Sequence, residues 1–107
     1  MKQITSAEFE AEVLKSAQPV LVDFYTNGCA PCRMMSPLLQ EMETEAKGAF
    51  KVVKIDAATE SNLAAAFRVN AVPTFLAFTN GNCVGQATGA VSKARMSQWF
   101  QEAVHKA

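Results

Sequence analysis

The apolar positions along the chain recur with two different periods, which distinguish helices from strands. Apolar residues three or four apart mark one face of a helix, as in the stripe Met35, Leu38, Leu39, Met42 and Ala46. Short, nearly unbroken apolar runs indicate strands buried on both faces. The pattern predicts helices over about 6–16, 31–47 and 59–67 and after Ser92, and strands over about 20–25, 50–55, 74–79 and 83–87.

Capping and turn residues indicate where several of these elements begin and end. Thr5 followed by Glu8 forms the pattern of a capping box at the start of the first helix, and Thr59 can cap the third. Pro37 falls inside the second helix, where its missing N–H predicts a kink. Asn80–Gly81 is typical of a two-residue hairpin turn between the last two strands.

The resulting element order is β, α, β, α, β, α, β, β, α, beginning with a short strand. Strand–helix–strand repeats favour a parallel central sheet with helices on both faces, and the hairpin adds antiparallel pairing. The sequence therefore predicts an α/β fold with a mixed, mostly parallel sheet. The residues expected to face this sheet from the other helices are Phe9, Val13, Leu14, Leu63, Phe67, Trp99, Phe100 and Ala103.

Composition restricts the classes of partner. At 107 residues, with half of them hydrophobic, the chain is predicted to form one domain over residues 1–107 and to be a monomer. Ten basic and ten acidic residues cancel, and no polybasic run occurs, so neither nucleic acid nor an anionic membrane is an expected partner. Residues 1–6 lack the apolar segment of a signal peptide, so we expect a cytoplasmic protein.

The three cysteines carry the strongest chemical signal. Their low number fits a reducing compartment, where two cysteines three positions apart indicate redox or metal chemistry. Cys29 and Cys32 stand where a strand ends and a helix begins. The helix N-terminus would stabilise a Cys29 thiolate, while Cys32, one turn further along, would be more shielded. This asymmetry suits an attacking thiol followed by a resolving one; two buried structural cysteines and half of a zinc site are the alternatives.

Three further residues need an explanation. Asp23 interrupts an apolar strand, where a carboxylate without a partner is costly. It is either an edge or capping group that reaches water, or a general acid/base close to Cys32. Lys54 reads, on sequence alone, as an ordinary exposed strand lysine. Cys83 is expected to be a buried or half-buried strand residue, with a regulatory or intermolecular disulfide as the alternative.

Taken together, these residues resemble the thioredoxin family over nearly the whole chain. The matching segments, in family order, are Val22–Tyr25, Cys29–Pro37, Val53–Asp56, Val72–Phe75, Asn80–Gly81 and Gly89. The chain departs from the family pattern at three places. Gly28 stands where the family usually has Trp before the first cysteine, Ala30–Pro31 replaces the usual Gly-Pro, and Tyr25 replaces a second Trp.

The resemblance implies a thioredoxin fold and a thiol–disulfide oxidoreductase that reduces protein disulfides. Cys29 and Cys32 would form the redox disulfide, Asp23 would move the Cys32 proton, and Lys54 would be the charge partner of Asp23. The peptide bond before Pro73 would be cis. The backbone of Val72 would pair with the substrate, within a substrate-binding surface formed by Gly28, Ala30, Pro31, Val72, Pro73 and Gly89.

The resemblance also implies how the protein obtains electrons. No organic cofactor or metal is expected, and the electrons would come from a separate, NADPH-dependent thioredoxin reductase. Two other functions stay open at this point. One is a redox-inactive or weakly active binding module that docks a partner around Cys29, Gly28 and Val72–Pro73. The other is metal or cluster binding by paired CxxC motifs across a dimer.

Overall fold

Five strands and four helices follow one another in the predicted order. The computed structural model describes residues 1–106. The first helix changes from α-helical to π-helical geometry at Glu10. The strands are β1 (Lys2–Gln3), β2 (Val20–Tyr25), β3 (Lys51–Asp56), β4 (Thr74–Thr79) and β5 (Asn82–Thr88), and the helices are α1 (Ser6–Phe9, continued as a π-helix over Glu10–Leu14), α2 (Ala30–Ala46), α3 (Ser61–Ala66) and α4 (Lys93–His105).

The strands form one mixed sheet in the order β1-β3-β2-β4-β5. β1 and β2 both run parallel to β3, whereas β4 runs antiparallel to both β2 and β5. The α/β fold and the mixed sheet are confirmed, and four of the five strands run in the same direction; antiparallel pairing, however, extends beyond the predicted hairpin to β2 and β4. The reason is that a strand buried on both faces has the same apolar pattern whichever way it runs.

Two apolar layers cover the two faces of the sheet, and the alternation along β2 divides its side chains between them. Val20, Val22 and Phe24 belong to the cluster that packs against α1 and α3. Leu21 belongs to the cluster that packs against α2 and α4. Asp23 lies two residues after Leu21 on the same strand, so its side chain faces the same layer. That layer contains α2, the helix at whose start the two cysteines lie.

The first helix begins as predicted but ends differently. The Glu8 carboxylate accepts a hydrogen bond from the Thr5 backbone N–H at 2.9 Å, as its position in the capping box requires. Further on, the Lys15 N–H bonds to the Glu10 carbonyl at 2.9 Å, a spacing of five residues. Leu14, the last residue of this π turn, is 37% exposed, whereas the preceding Val13 is buried. Neighbouring side chains on a helix point about 100° apart, so with Val13 on the buried face Leu14 turns toward solvent, and the prediction that Leu14 faces the sheet was wrong.

The third helix begins at Ser61, two residues later than predicted. The Asp56 carboxylate accepts hydrogen bonds from the backbone N–H groups of Ala58 and Thr59, at 2.9 and 3.3 Å. These bonds hold the chain after β3 in a turn, so Thr59 does not cap the helix; Glu60 precedes it instead. The hairpin signal is confirmed, because Asn80 and Gly81 have φ values of +52° and +80°.

Candidate functional site

The two cysteines are positioned by the junction between β2 and α2. Cys29 has extended backbone angles and is the N-cap of α2, and Cys32 lies one turn into the helix. The Cys29 N–H donates to the Thr26 carbonyl at 3.3 Å, which holds the connecting loop against the end of β2. The two sulfurs are joined in a disulfide whose Cα atoms are 5.2 Å apart.

The two sulfurs differ in environment, as the sequence predicts. Cys29 is half-buried, whereas Cys32 is only 4% exposed. The Cys29 Sγ accepts a hydrogen bond from the Cys32 backbone N–H at 3.1 Å. In the reduced protein the same N–H and the positive end of the helix would stabilise a negative charge on that sulfur. The accessible sulfur is therefore also the one that the helix activates.

Asp23 lies in a cavity that it shares with Cys32. The residue is 3% exposed, and its Oδ1 has no hydrogen-bond partner within residues 1–106. The cavity has a volume of about 160 Å³ and is also lined by Ser36 and Arg33 of α2. Burial raises the pKa of Asp23 to about 7, although the positive charge of Lys54 acts in the opposite direction. Asp23 is therefore not a water-exposed edge carboxylate, and it titrates near neutrality beside the buried sulfur.

Lys54 lines the same cavity from β3, directly opposite Asp23 in the sheet register. Its Nζ lies 4.5 Å from the centroid of the Tyr25 ring, in a cation–π contact. Among the residues that the structure describes, Lys54 forms no ion pair. No role was predicted for Tyr25, although its position two residues after Asp23 on the same strand places both side chains on one face.

The segment around Pro73 closes the site from β4. The Val72–Pro73 peptide bond is cis, which confirms what the resemblance implied. Thr74 pairs with Phe24, so Pro73 lies at the end of the sheet where β2 leads into the cysteine loop. The Gly89 N–H donates to the Pro73 carbonyl at 2.9 Å, and Val72 lines a groove of about 340 Å³ together with Thr26. Val72, Pro73 and Gly89 are thus brought together at this end of the sheet.

The remaining residues of the predicted substrate surface lie on the loop and on the first turn of α2. Gly28, Ala30 and Pro31 are all exposed. A Cβ built on Gly28 would meet no atom within 4 Å, and the backbone there is not left-handed. The fold therefore does not require glycine at this position.

Comparison with known proteins assigns the family. The Thioredoxin family model matches residues 1–102 of the chain. The chain belongs to the thioredoxin family. It is similar to Thioredoxin 1 of a Nostoc species, with 37% identity over 94% of each protein, and to Thioredoxin of Pyropia yezoensis, with 38% identity over 91% of each. With the Cys29–Cys32 disulfide, these findings identify the chain as a thiol–disulfide oxidoreductase.

One relative of this thioredoxin-family chain is, by its name, bifunctional. The Bifunctional thioredoxin reductase/thioredoxin of Mycobacterium leprae is 37% identical over 95% of this chain, which covers 22% of that protein. The thioredoxin family generally works with disulfide substrates and thioredoxin reductase. In that relative, by its name, the two partners belong to one polypeptide.

The third cysteine of this thioredoxin-family chain lies outside the site and differs from expectation. Cys83 is free and exposed, so the prediction of a buried or half-buried strand residue was wrong. It lies on β5, which is an edge strand, and the β4–β5 register shifts at Ala77–Phe78. An edge strand has one open side and the shift distorts its pairing next to Cys83, so lying in a strand does not bury this residue.

The described part of the chain, residues 1–106, contains neither a metal-binding cluster nor a helix able to span a membrane. No three His, Cys, Asp or Glu side chains are grouped closely enough to hold a metal ion. None of the helices there has the length and apolar character needed to cross a bilayer.

Proposed function

We propose that this chain reduces disulfide bonds in other proteins by dithiol–disulfide exchange. The Cys29 thiolate attacks one sulfur of the substrate disulfide, which forms a mixed disulfide and releases the other sulfur as a thiolate. The Cys32 thiolate then attacks the Cys29 sulfur and releases the second substrate sulfur. Two electrons pass to the substrate, and the protein is left with the Cys29–Cys32 disulfide present in the structure.

The observation that carries this proposal is the difference between the two sulfurs. Cys29 is half-buried and caps a 17-residue helix, so a substrate can reach a sulfur that the helix activates. Cys32 is 4% exposed and lies one turn away, so it contacts the substrate only through Cys29. Attack by one sulfur and displacement by the other follow from this arrangement.

Asp23 acts in this proposal as the proton acceptor for Cys32. Both residues line the cavity of about 160 Å³, which is large enough to hold a water molecule. A carboxyl group with a pKa of about 7 exchanges protons readily with a thiol near neutrality. Lys54, through its charge, keeps part of the Asp23 population ionised.

The substrate would lie across the surface formed by Gly28, Ala30, Pro31, Val72, Pro73 and Gly89. Pro73 has no backbone N–H to donate, and its carbonyl already accepts a hydrogen bond from the Gly89 N–H. In the segment just before β4, Val72 is therefore the residue whose backbone can pair with an extended substrate. The protein would act as a cytoplasmic monomer without metal or organic cofactor, and an NADPH-dependent thioredoxin reductase would supply its electrons.

A coupled assay tests this function directly. With NADPH and a thioredoxin reductase, catalytic amounts of the protein should accelerate reduction of the insulin disulfides, with one NADPH consumed per disulfide. The Cys29→Ser variant should show only the background rate, because the attacking sulfur is missing. If the wild-type protein gives no more than background both in this assay and with dithiothreitol as the reductant, the proposed activity is wrong.

The reactivity of Cys29 can be compared with that of Cys83 in the same molecule. Helix N-termini lower cysteine pKa values to about 3.5–7.5, so the thiolate fraction of Cys29 at pH 7 should exceed that of an ordinary thiol by about tenfold. In the reduced protein we expect iodoacetamide to modify Cys29 about tenfold faster than Cys83, as measured by peptide mass spectrometry. Equal rates would contradict activation by α2, since Cys83 is exposed and is not limited by access.

A further inference from the structure

Tyr25 is in contact with the site but has no part in the thiol chemistry described above. Its side chain projects from the last residue of β2 into the cavity that contains Asp23 and Cys32. Burial raises the pKa of Tyr25, and the nearby Asp56 and Asp23 carboxylates add to the effect, so its phenol stays protonated near neutrality. Any influence of Tyr25 on proton transfer must therefore act through a neighbouring group.

That neighbour is Lys54. Its ammonium group lies 4.5 Å from the centroid of the Tyr25 ring, and it has no carboxylate partner among residues 1–106. The lysine side chain is long and flexible, and its ammonium group is strongly hydrated, so without a partner it would extend into solvent. The contact that the structure shows for this ammonium group is the one with the Tyr25 ring.

The position of this charge matters because Asp23 has no other compensation. Asp23 Oδ1 is buried without a hydrogen-bond partner, and Lys54 is directly opposite it across β2 and β3. The other ionisable groups that line the cavity are Cys32 and Arg33, both from α2. The Arg33 guanidinium donates to the Asn27 carbonyl at 3.0 Å, so its charge is held at the loop.

We propose that Tyr25 is a positioning residue: its ring holds the Lys54 ammonium group at the cavity, where the lysine charge favours the ionised form of Asp23. The proposal rests on the proposed function, because it concerns the group that accepts the Cys32 proton. According to this proposal, the aromatic ring of Tyr25, and not its hydroxyl group, influences the protonation of Asp23.

The test is the titration of Asp23 in the oxidised protein, followed by the carboxyl carbon resonance in NMR. Cys29 and Cys32 do not titrate in the disulfide form, so neither sulfur of the site contributes to the Asp23 titration. In Tyr25→Leu, loss of the ring should raise the Asp23 midpoint by about half a pH unit and reduce its ionised fraction at pH 7 from about one half to about one quarter. Tyr25→Phe keeps the ring and should titrate like the wild type.

A double variant shows whether the effect passes through the lysine. Lys54→Met should raise the Asp23 midpoint at least as far as Tyr25→Leu, and adding Tyr25→Leu to Lys54→Met should cause no further shift. The inference is overturned if Tyr25→Leu leaves the midpoint unchanged or lowers it, if Tyr25→Phe shifts it like Leu, or if Tyr25→Leu shifts it equally without Lys54.

These results can be separated from failure of the proposed function. The titration uses oxidised protein and requires neither substrate nor turnover. A wild-type Asp23 that titrates near its ordinary value of 3.8 would remove both its proposed part in proton transfer and this inference. If Asp23 titrates near 7 in the wild type but Tyr25→Leu has no effect on it, only the positioning role is overturned. If the titrations are as expected but the protein is inactive, only the reductase activity is overturned.

Discussion

The Cys32→Ser variant should remain covalently joined to its substrate through Cys29. Serine cannot displace the mixed disulfide, because its hydroxyl is a far weaker nucleophile than a thiolate at neutral pH. We expect the mixed disulfide to accumulate stoichiometrically and insulin turnover to fall by about 100-fold or more. Non-reducing gel electrophoresis and mass spectrometry would show the adduct, and a reducing agent would release it.

Cys83 provides the matched control for this experiment. Cys83→Ser replaces a free, exposed thiol outside the site, so it should turn over insulin at the wild-type rate and trap no adduct. Combining Cys32→Ser with Cys83→Ser should trap as much substrate as Cys32→Ser alone. Wild-type turnover by Cys32→Ser, or an adduct that depends on Cys83, would exclude the mechanism in which Cys29 attacks and Cys32 resolves.

Removing the Asp23 carboxyl group should make the folded protein more stable at neutral and higher pH. The pKa of Asp23 is about 7 in the folded state against an ordinary value of 3.8. Between these two values the folded protein holds a proton that the unfolded chain releases, so stability falls as the pH rises from about 4 through 7. Each unit of pKa shift corresponds to about 1.4 kcal/mol, so the full loss is about 4 kcal/mol.

Urea unfolding of the oxidised Asp23→Ala variant at pH 4.5 and pH 8 measures this effect. At pH 8 we expect the variant to be about 2–4 kcal/mol more stable than the wild type, since some packing is lost with the carboxyl group. At pH 4.5 the difference should largely disappear, because the wild-type Asp23 is then protonated. The same substitution should slow resolution of the mixed disulfide by about tenfold or more, since the proton acceptor is missing.

Asp56 is also a buried carboxylate, but its removal should destabilise the folded protein. Its Oδ1 accepts hydrogen bonds from the backbone N–H groups of Ala58 and Thr59. Because Asp56→Ala removes both bonds, it should reduce the stability of the folded protein at pH 7 by about 1–3 kcal/mol. The two aspartates are 3% and 7% exposed, so burial alone does not distinguish them. A loss of stability in Asp23→Ala at pH 8 would show that Asp23 is compensated in a way that the structure does not contain.

The elements that the sequence predicted best are those with strong local signals. The bounds of β2 and β4 agree with prediction, and α2 begins one residue before the predicted start at Pro31. Apolar runs, capping residues and turn pairs act over a few positions, so their effects can be recognised without the rest of the chain. The end of the first helix and the start of the third differ from prediction because they depend on a π turn and on hydrogen bonds accepted by Asp56, which a pattern of apolar positions does not record.

The sequence by itself determined that two cysteines three apart stand where a buried strand meets a helix, and this local arrangement fixes which sulfur is accessible. Only the tertiary structure decided the environment of Asp23, the contact between Lys54 and Tyr25, the direction of β4 and the exposure of Cys83. These properties depend on which residues from distant parts of the chain surround a group. Desolvation and charge act through space, and a linear pattern does not record those neighbours.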